Sequence, residues 1–169
     1  AGAAQLNASG ADFAALLGDG KAIAILEECY RGFVTLDSAH RSYASLLTAL
    51  ASYETGPSVF HCTAGKDRTG WAAAVLLLHV GVDRDTVFDD YLESNSAARP
   101  AMQKYLDQFA ASGGDPALLE PLLSVDAKYL DAALTTVEQT YGDLDGYLRR
   151  GLGLDDAVLD GLRTRLLES

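Results

Sequence analysis

The chain is short of cysteine, of basic residues and of long apolar runs, and each shortage excludes a class of function. Two cysteines, Cys29 and Cys62, are too few to staple a disulfide scaffold. Thirteen Lys and Arg stand against 24 Asp and Glu, for a formal net charge of -11. A general nucleic-acid binder needs the opposite balance, because basic side chains must displace counterions from phosphates. A local basic pocket stays compatible with this charge. The longest apolar run, 71–78, falls far short of the ~20 residues that span a bilayer. His40, His61 and His79 do not cluster with carboxylates at ligand spacing, so no metal and no cofactor is expected. What is present is ordinary globular composition: 49% hydrophobic and 22% charged residues over 169 positions. That length suits one domain, 1–169, able to bury roughly 70% of its unfolded surface.

The chain starts at Ala1, and 1–20 carries neither the charged nor the apolar stretch of a signal peptide. This predicts that an upstream segment was removed or that 1–169 is part of a longer chain. Residues 1–20, rich in Ala and Gly, read as a loop around a short helix at 12–17. Apolar residues at helical spacing then predict helices over 21–34 and 40–53, the second capped by Asp37-Ser38. Gly56-Pro57 interrupts, and 58–62 (Ser-Val-Phe-His-Cys) is β-prone. A strongly apolar helix follows over 69–80, closed by Gly81. Asp83 caps a helix to about 94, Pro100 opens another to about 111, and 112–116 is a turn. Helices to 123 and over 126–140, 144–150 and 155–167 complete the chain. The reading gives mostly helix and one strand.

The chemistry lies in His61-Cys62-Thr63-Ala64-Gly65-Lys66-Asp67-Arg68-Thr69-Gly70, between that strand and the apolar helix. Backbone N–H groups of the loop and of the helix N-terminus converge there on one point, which favours an anion. Cys62 sits in the same field, so its thiolate is stabilised. Five residues intervene before Arg68, whose guanidinium offers two parallel donors to phosphate oxygens. Gly65 lets the backbone curl tightly. Together these parts suit covalent phosphoryl transfer. The thiolate attacks phosphorus, the amides of 63–68 and Arg68 hold the equatorial oxygens, and water hydrolyses the thiophosphate. A carboxylate in such a loop repels the ligand unless it points away or carries a proton. Protonated, Asp67 can act as general acid; Asp37 is the rival, and plain bonding to loop amides the third reading. Cys29, beside Leu26 and Phe33 on a helical face, reads as core, with a thiol that protects an oxidised nucleophile as the alternative.

HCTAGKDRTG resembles the catalytic loop of the protein tyrosine phosphatase superfamily, H-C-x5-R-[ST], and in particular the bacterial secreted phosphatases of the tyrosine-protein phosphatase B type. Tyr30-Arg31 with Phe33, Tyr91-Leu92 with Ser94-Asn95, and Tyr141-Gly142 with Tyr147-Leu148-Arg149 extend the match from about Glu27 to the C-terminus. Residues 1–20 have no counterpart. The resemblance implies an α/β layered fold with the loop between a central strand and its following helix. It implies phosphotyrosine as substrate, with phosphoserine/threonine and phosphoinositides as extensions. It supports Asp67 as the acid, and makes Lys66 an extra cation beside the phosphate, against an exposed surface lysine as the alternative. Thr69 is expected to bond the Cys62 sulfur, with an ordinary first-turn threonine as the alternative, and His61 to order the loop, with core packing as the alternative. Tyr30-Arg31 would line the site, or else be core and surface; 98–123 would form a helical lid, or else ordinary peripheral helices. The family's Asn-Phe-Arg-Asp and Asp-Leu-Arg-type motifs, which belong to N-terminal sheet strands, do not occur in the sequence. The central strand should therefore pair with a complementary N-terminal segment or a neighbouring chain. A reduced thiol requires a reducing compartment or tolerance of oxidation; bacterial cytoplasm and secretion both remain open. The excess of nine Arg over four Lys is in keeping with a GC-rich bacterium. Sulfurtransferase or arsenate chemistry on the same loop, and a phosphate-binding module without turnover, are the competing functions.

Overall fold

A computed structural model describes residues 10–52 and 56–167. The expected loop at 1–9 and the expected helix end at Tyr53 lie outside the described residues. Among the described residues nine α-helices run in order: α1 Gly10–Leu17, α2 Lys21–Thr35, α3 Asp37–Ala51, α4 Asp67–His79, α5 Arg84–Ala111, α6 Pro116–Leu123, α7 Ala127–Tyr141, α8 Leu144–Gly146 and α9 Asp156–Leu167. A π turn, Tyr147–Gly151, follows α8 directly. No described helix is long and apolar enough to cross a membrane.

The caps are the acidic residues that precede the apolar patterns. Asp83, Asp115 and Asp126 each accept a bond from a first-turn amide, at 3.0, 3.0 and 2.9 Å. α3 begins at Asp37, earlier than the sequence predicts, because Leu36 is extended and supplies the cap position while Asp37 suits the positive helix end. The helices expected at 83–94 and 100–111 are one helix, α5, which runs through Pro100. Proline removes a single ladder bond, to the carbonyl of Ser96, and the 28-residue helix continues past it.

α4 is the central element. Trp71, Ala72, Ala74, Val75 and Leu76 are buried, so its wall is apolar nearly all round. Tyr30 and Val34 of α2 and Leu130, Ala133 and Val137 of α7 join it in one core with Tyr147 and Leu148 of the π turn. Each such large side chain contributes about 1.5–3 kcal/mol on burial. His79, at the end of α4, donates from Nε2 to the Leu159 carbonyl at 3.0 Å and so ties α4 to α9.

The strand expected at 58–62 is not formed either, and no strand occurs among the described residues. A strand exists only through a ladder partner, and within the described chain nothing pairs with this one. Val59 is 93% exposed. The described residues are thus helix-rich, where a layered α/β arrangement was expected.

Candidate active site

The loop from Cys62 enters α4 with no intervening linker. Gly65 has φ +71°, a left-handed turn that glycine adopts without strain, and Asp67 is already the first helical residue. The turn brings the amides of Ala64, Gly65 and Thr69 onto the Cys62 sulfur, with the Thr69 hydroxyl as a fourth donor. Thr69 Oγ1 also accepts from the Cys62 amide at 2.9 Å, so one hydroxyl fixes both ends of the residue. Burial pushes the thiol up, but the four donors together outweigh it and bring its pKa down to about 6. Cys62 is therefore a thiolate at neutral pH.

Arg68 is exposed; its Nη2 donates to Thr63 Oγ1 at 3.1 Å, and it borders the same cavity as Cys62. The cavity measures about 750 Å³ and opens between α2, α3 and the loop. His61 is exposed, and its Nδ1–H donates to the Cys62 carbonyl at 3.0 Å. It touches loop backbone and is not core. Asp37 is exposed on the first turn of α3, one residue before Ser38, which lines the cavity.

Lys66 differs from expectation. It is not a surface lysine, and it is not among the residues that line the Cys62 cavity. Only 7% of it is exposed, and its Nζ donates to Asp67 Oδ1 at 3.1 Å and to the Leu122 and Ser124 carbonyls at 3.0 Å. Two of the three ammonium protons go to the C-terminal end of α6, where helix carbonyls concentrate negative charge, and the third goes to Asp67. The same Asp67 oxygen accepts from the Tyr30 hydroxyl at 3.1 Å.

Cys29 is exposed and lines the cavity that also holds Cys62, against the core position the sequence predicts. The buried face of α2 is Ala22, Tyr30 and Val34, and Cys29 lies one residue off that line. Arg31 pairs with Glu27 and Glu28 on its own helix, at 3.1 and 3.2 Å, so of the Tyr30-Arg31 pair only Tyr30 reaches the loop. Two contributions escaped the sequence. Tyr91 meets Tyr30 hydroxyl to hydroxyl at 2.7 Å. Asn95 holds the Val125 amide and carbonyl at 2.8 and 2.9 Å, clamping α5 to the segment after α6. Both lie in the 91–95 match, but their bonds reach across 30 or more residues, where local periodicity gives no signal.

Among the described residues no group of three or more His, Cys, Asp or Glu is arranged to hold a metal. The arrangement is a cradle of amide and hydroxyl donors with the Cys62 sulfur at its base and a guanidinium at its rim.

The sequence profile of the tyrosine phosphatase family matches residues 5–168. A candidate tyrosine-protein phosphatase of Cupriavidus necator is 47% identical over 103 residues, covering 61% of this chain and 38% of that protein. The triple specificity protein phosphatase PtpB of Mycobacterium tuberculosis is 37% identical over 150 residues, 82% of this chain and 53% of its own length. A tyrosine-protein phosphatase of Nostoc commune is 28% identical over 137 residues, 78% of this chain and 46% of its own. The matches thus take in about half or less of each relative. With the profile spanning nearly every residue and the cradle built around Cys62, the chain belongs to the tyrosine phosphatase family.

Proposed function

We propose that this chain carries the catalytic loop of a phosphomonoester hydrolase that works through a cysteinyl-phosphate. The observation behind the proposal is the Cys62 sulfur, held as thiolate with a pKa of about 6 by the Thr69 hydroxyl and three amides. The thiolate attacks phosphorus in line; a P–S bond forms as the bond to the leaving oxygen breaks. Arg68 and the amides bear the charge on the equatorial oxygens. Asp67 gives its proton to the leaving oxygen. Water then attacks phosphorus and gives a proton to the Asp67 carboxylate, the P–S bond breaks, and the Thr69 hydroxyl stabilises the departing thiolate.

Phosphotyrosine is the first substrate in this proposal, in keeping with the names of the relatives. The triple specificity named for PtpB favours phosphoserine and phosphothreonine as extensions. Phosphoinositides draw less support, because Lys66, the extra cation that reading called for, has its ammonium committed to Asp67 and two carbonyls. The stretch 98–123 is the proposed lid, its far end held by Lys66 and by the Asn95 clamp.

We also propose that 58–62, unpaired among the described residues, becomes a central strand when a complementary N-terminal segment or a neighbouring chain pairs with it. Exposed Val59, and a cavity wall of Phe33, Leu36, Tyr43, Leu46 and Phe60, offer the apolar surface that such strands bury. The greater length of the relatives supplies the chain for it.

Aryl phosphate hydrolysis tests the activity. A burst of phenol, blocked by vanadate and absent from Cys62→Ser, supports it. Sulfurtransferase or arsenate turnover, anion binding with no burst, or serine-variant turnover within about tenfold of wild type overturns it, since removing a nucleophile acting in a unit costs orders of magnitude more.

A further inference from the structure

Three features converge on one oxygen of Asp67 and ask for a common explanation. Oδ1 already accepts two hydrogen bonds, from the Tyr30 hydroxyl and from Lys66. No described residue bonds Oδ2. Tyr30 is wholly buried and Tyr91 nearly so, at 0% and 2% exposure, and their hydroxyls lie 2.7 Å apart. Since Tyr30 donates its one hydroxyl proton to the carboxylate, Tyr91 must donate to the Tyr30 oxygen. The chain of donors therefore has a single direction, from α5 through α2 to the loop.

The third feature is a glycine. A Cβ on Gly70 would stand 2.9 and 3.0 Å from Cδ2 and Cε2 of the Tyr91 ring, closer than real contacts allow. Gly70 is in the second half of the first turn of α4, within a helix where glycine costs about 1 kcal/mol against alanine. The close approach of the ring accounts for that cost.

We propose that Tyr30 and Tyr91 are positioning residues for Asp67, and that Gly70 is there to seat the Tyr91 ring. The inference rests on Asp67 being the proton donor. With Oδ1 held by Tyr30 and Lys66, the transferable proton sits on Oδ2; it passes to the leaving oxygen, and Asp67 is left as the carboxylate. Neither tyrosine gives up a proton. Burial, followed by the neighbouring tyrosine and Asp67, raises Tyr30 far beyond its ordinary range, and burial likewise raises Tyr91 despite its bond to Tyr30. Both hydroxyls stay donors across the working pH range, so the carboxyl keeps one orientation.

The test uses the protein with Tyr30→Phe, Tyr91→Phe, Gly70→Ala and Asp67→Asn, and Tyr30→Phe in the Asp67→Asn background. Each is assayed on an alkyl phosphate, which needs a proton for its leaving group, and on p-nitrophenyl phosphate, which does not. Tyr30→Phe is expected to lower kcat for the alkyl ester roughly tenfold more than for the aryl ester, the scale of one lost bond to a charged group, with KM little changed. Tyr91→Phe shifts the same ratio in the same direction by less, and Gly70→Ala reproduces it. In the Asp67→Asn background the Tyr30 substitution should do nothing further to the ratio. Equal losses on both esters in the two Phe variants, while Asp67→Asn shows the leaving-group effect, overturn the inference and leave the acid assignment standing. Equal losses in Asp67→Asn itself overturn the assignment. Where Gly70→Ala does not fold, the Phe variants decide, because each removes one oxygen and keeps the ring.

Discussion

At the scale of single residues the site is a contest between burial and hydrogen bonding, and Cys62 shows which wins. Its thiol falls from an ordinary 9.0 to about 6 although burial alone would raise it. Alkylation of Cys62 by iodoacetamide should therefore titrate with a midpoint near pH 6, and Thr69→Ala should move that midpoint up, because the hydroxyl lowers it. A midpoint unmoved in Thr69→Ala would leave the amides as the whole cause. The same shift has a stability consequence. The thiolate's contribution is present in full above the unfolded value near 9 and is lost as pH falls through about 6. Arg68→Lys keeps the charge and loses the planar pair of donors, so kcat should fall about a hundredfold, or roughly 3 kcal/mol of transition-state stabilisation. A near-normal kcat would mean the guanidinium binds no transferring phosphoryl group.

Much at this scale was legible because the loop is contiguous. Cys62, Gly65, Arg68 and Thr69 interact within eight positions, and their spacing encodes their geometry. Lys66 was not legible. Its side chain reaches Leu122 and Ser124, 56 and 58 residues on, and nothing in the loop announces a carbonyl partner that distant. Cys29 departs from its expected core position for a related reason. A helical face is a wide stripe, and one position at its margin separates the core from a cavity wall.

Between elements, Lys66 is the joint that fixes the loop to α6. Lys66→Met should remove its three bonds, the one to Asp67 included. A stability loss of about 2 kcal/mol is expected from charged hydrogen bonds of this kind, read as a lower urea midpoint with faster proteolysis around 112–124. Unchanged stability would detach the loop from α6. Most helices were legible from apolar spacing and acidic caps; the division of α5 was not. Pro100 reads as a helix start in sequence, yet proline inside a long helix costs one ladder bond, which neighbouring contacts can outweigh. The 58–62 stretch fails in the opposite sense. Its β propensity is local, whereas strand formation needs a partner that the described residues do not contain.

For the molecule as a whole, charge and completeness matter most. A net charge of -11 surrounds the site proposed to bind phosphate dianions, so in that proposal the attraction is confined to Arg68 and the amide dipoles. Substrate affinity should accordingly respond to Arg68 far more than to ionic strength. Sheet completion predicts slow amide exchange at Val59 and Phe60 once a complementary N-terminal segment is present. Exchange as fast as in 1–169 alone would contradict it, and protection that appears only with rising protein concentration would assign the missing partner to a second copy. The central claim, however, is the covalent step at Cys62. Rapid acid quench of the protein during aryl phosphate turnover, followed by mass analysis of its peptides, tests that step directly. The account predicts one phosphoryl group on the peptide containing Cys62, present in the wild type and missing from Cys62→Ser; an unmodified Cys62 under conditions of full turnover would contradict it.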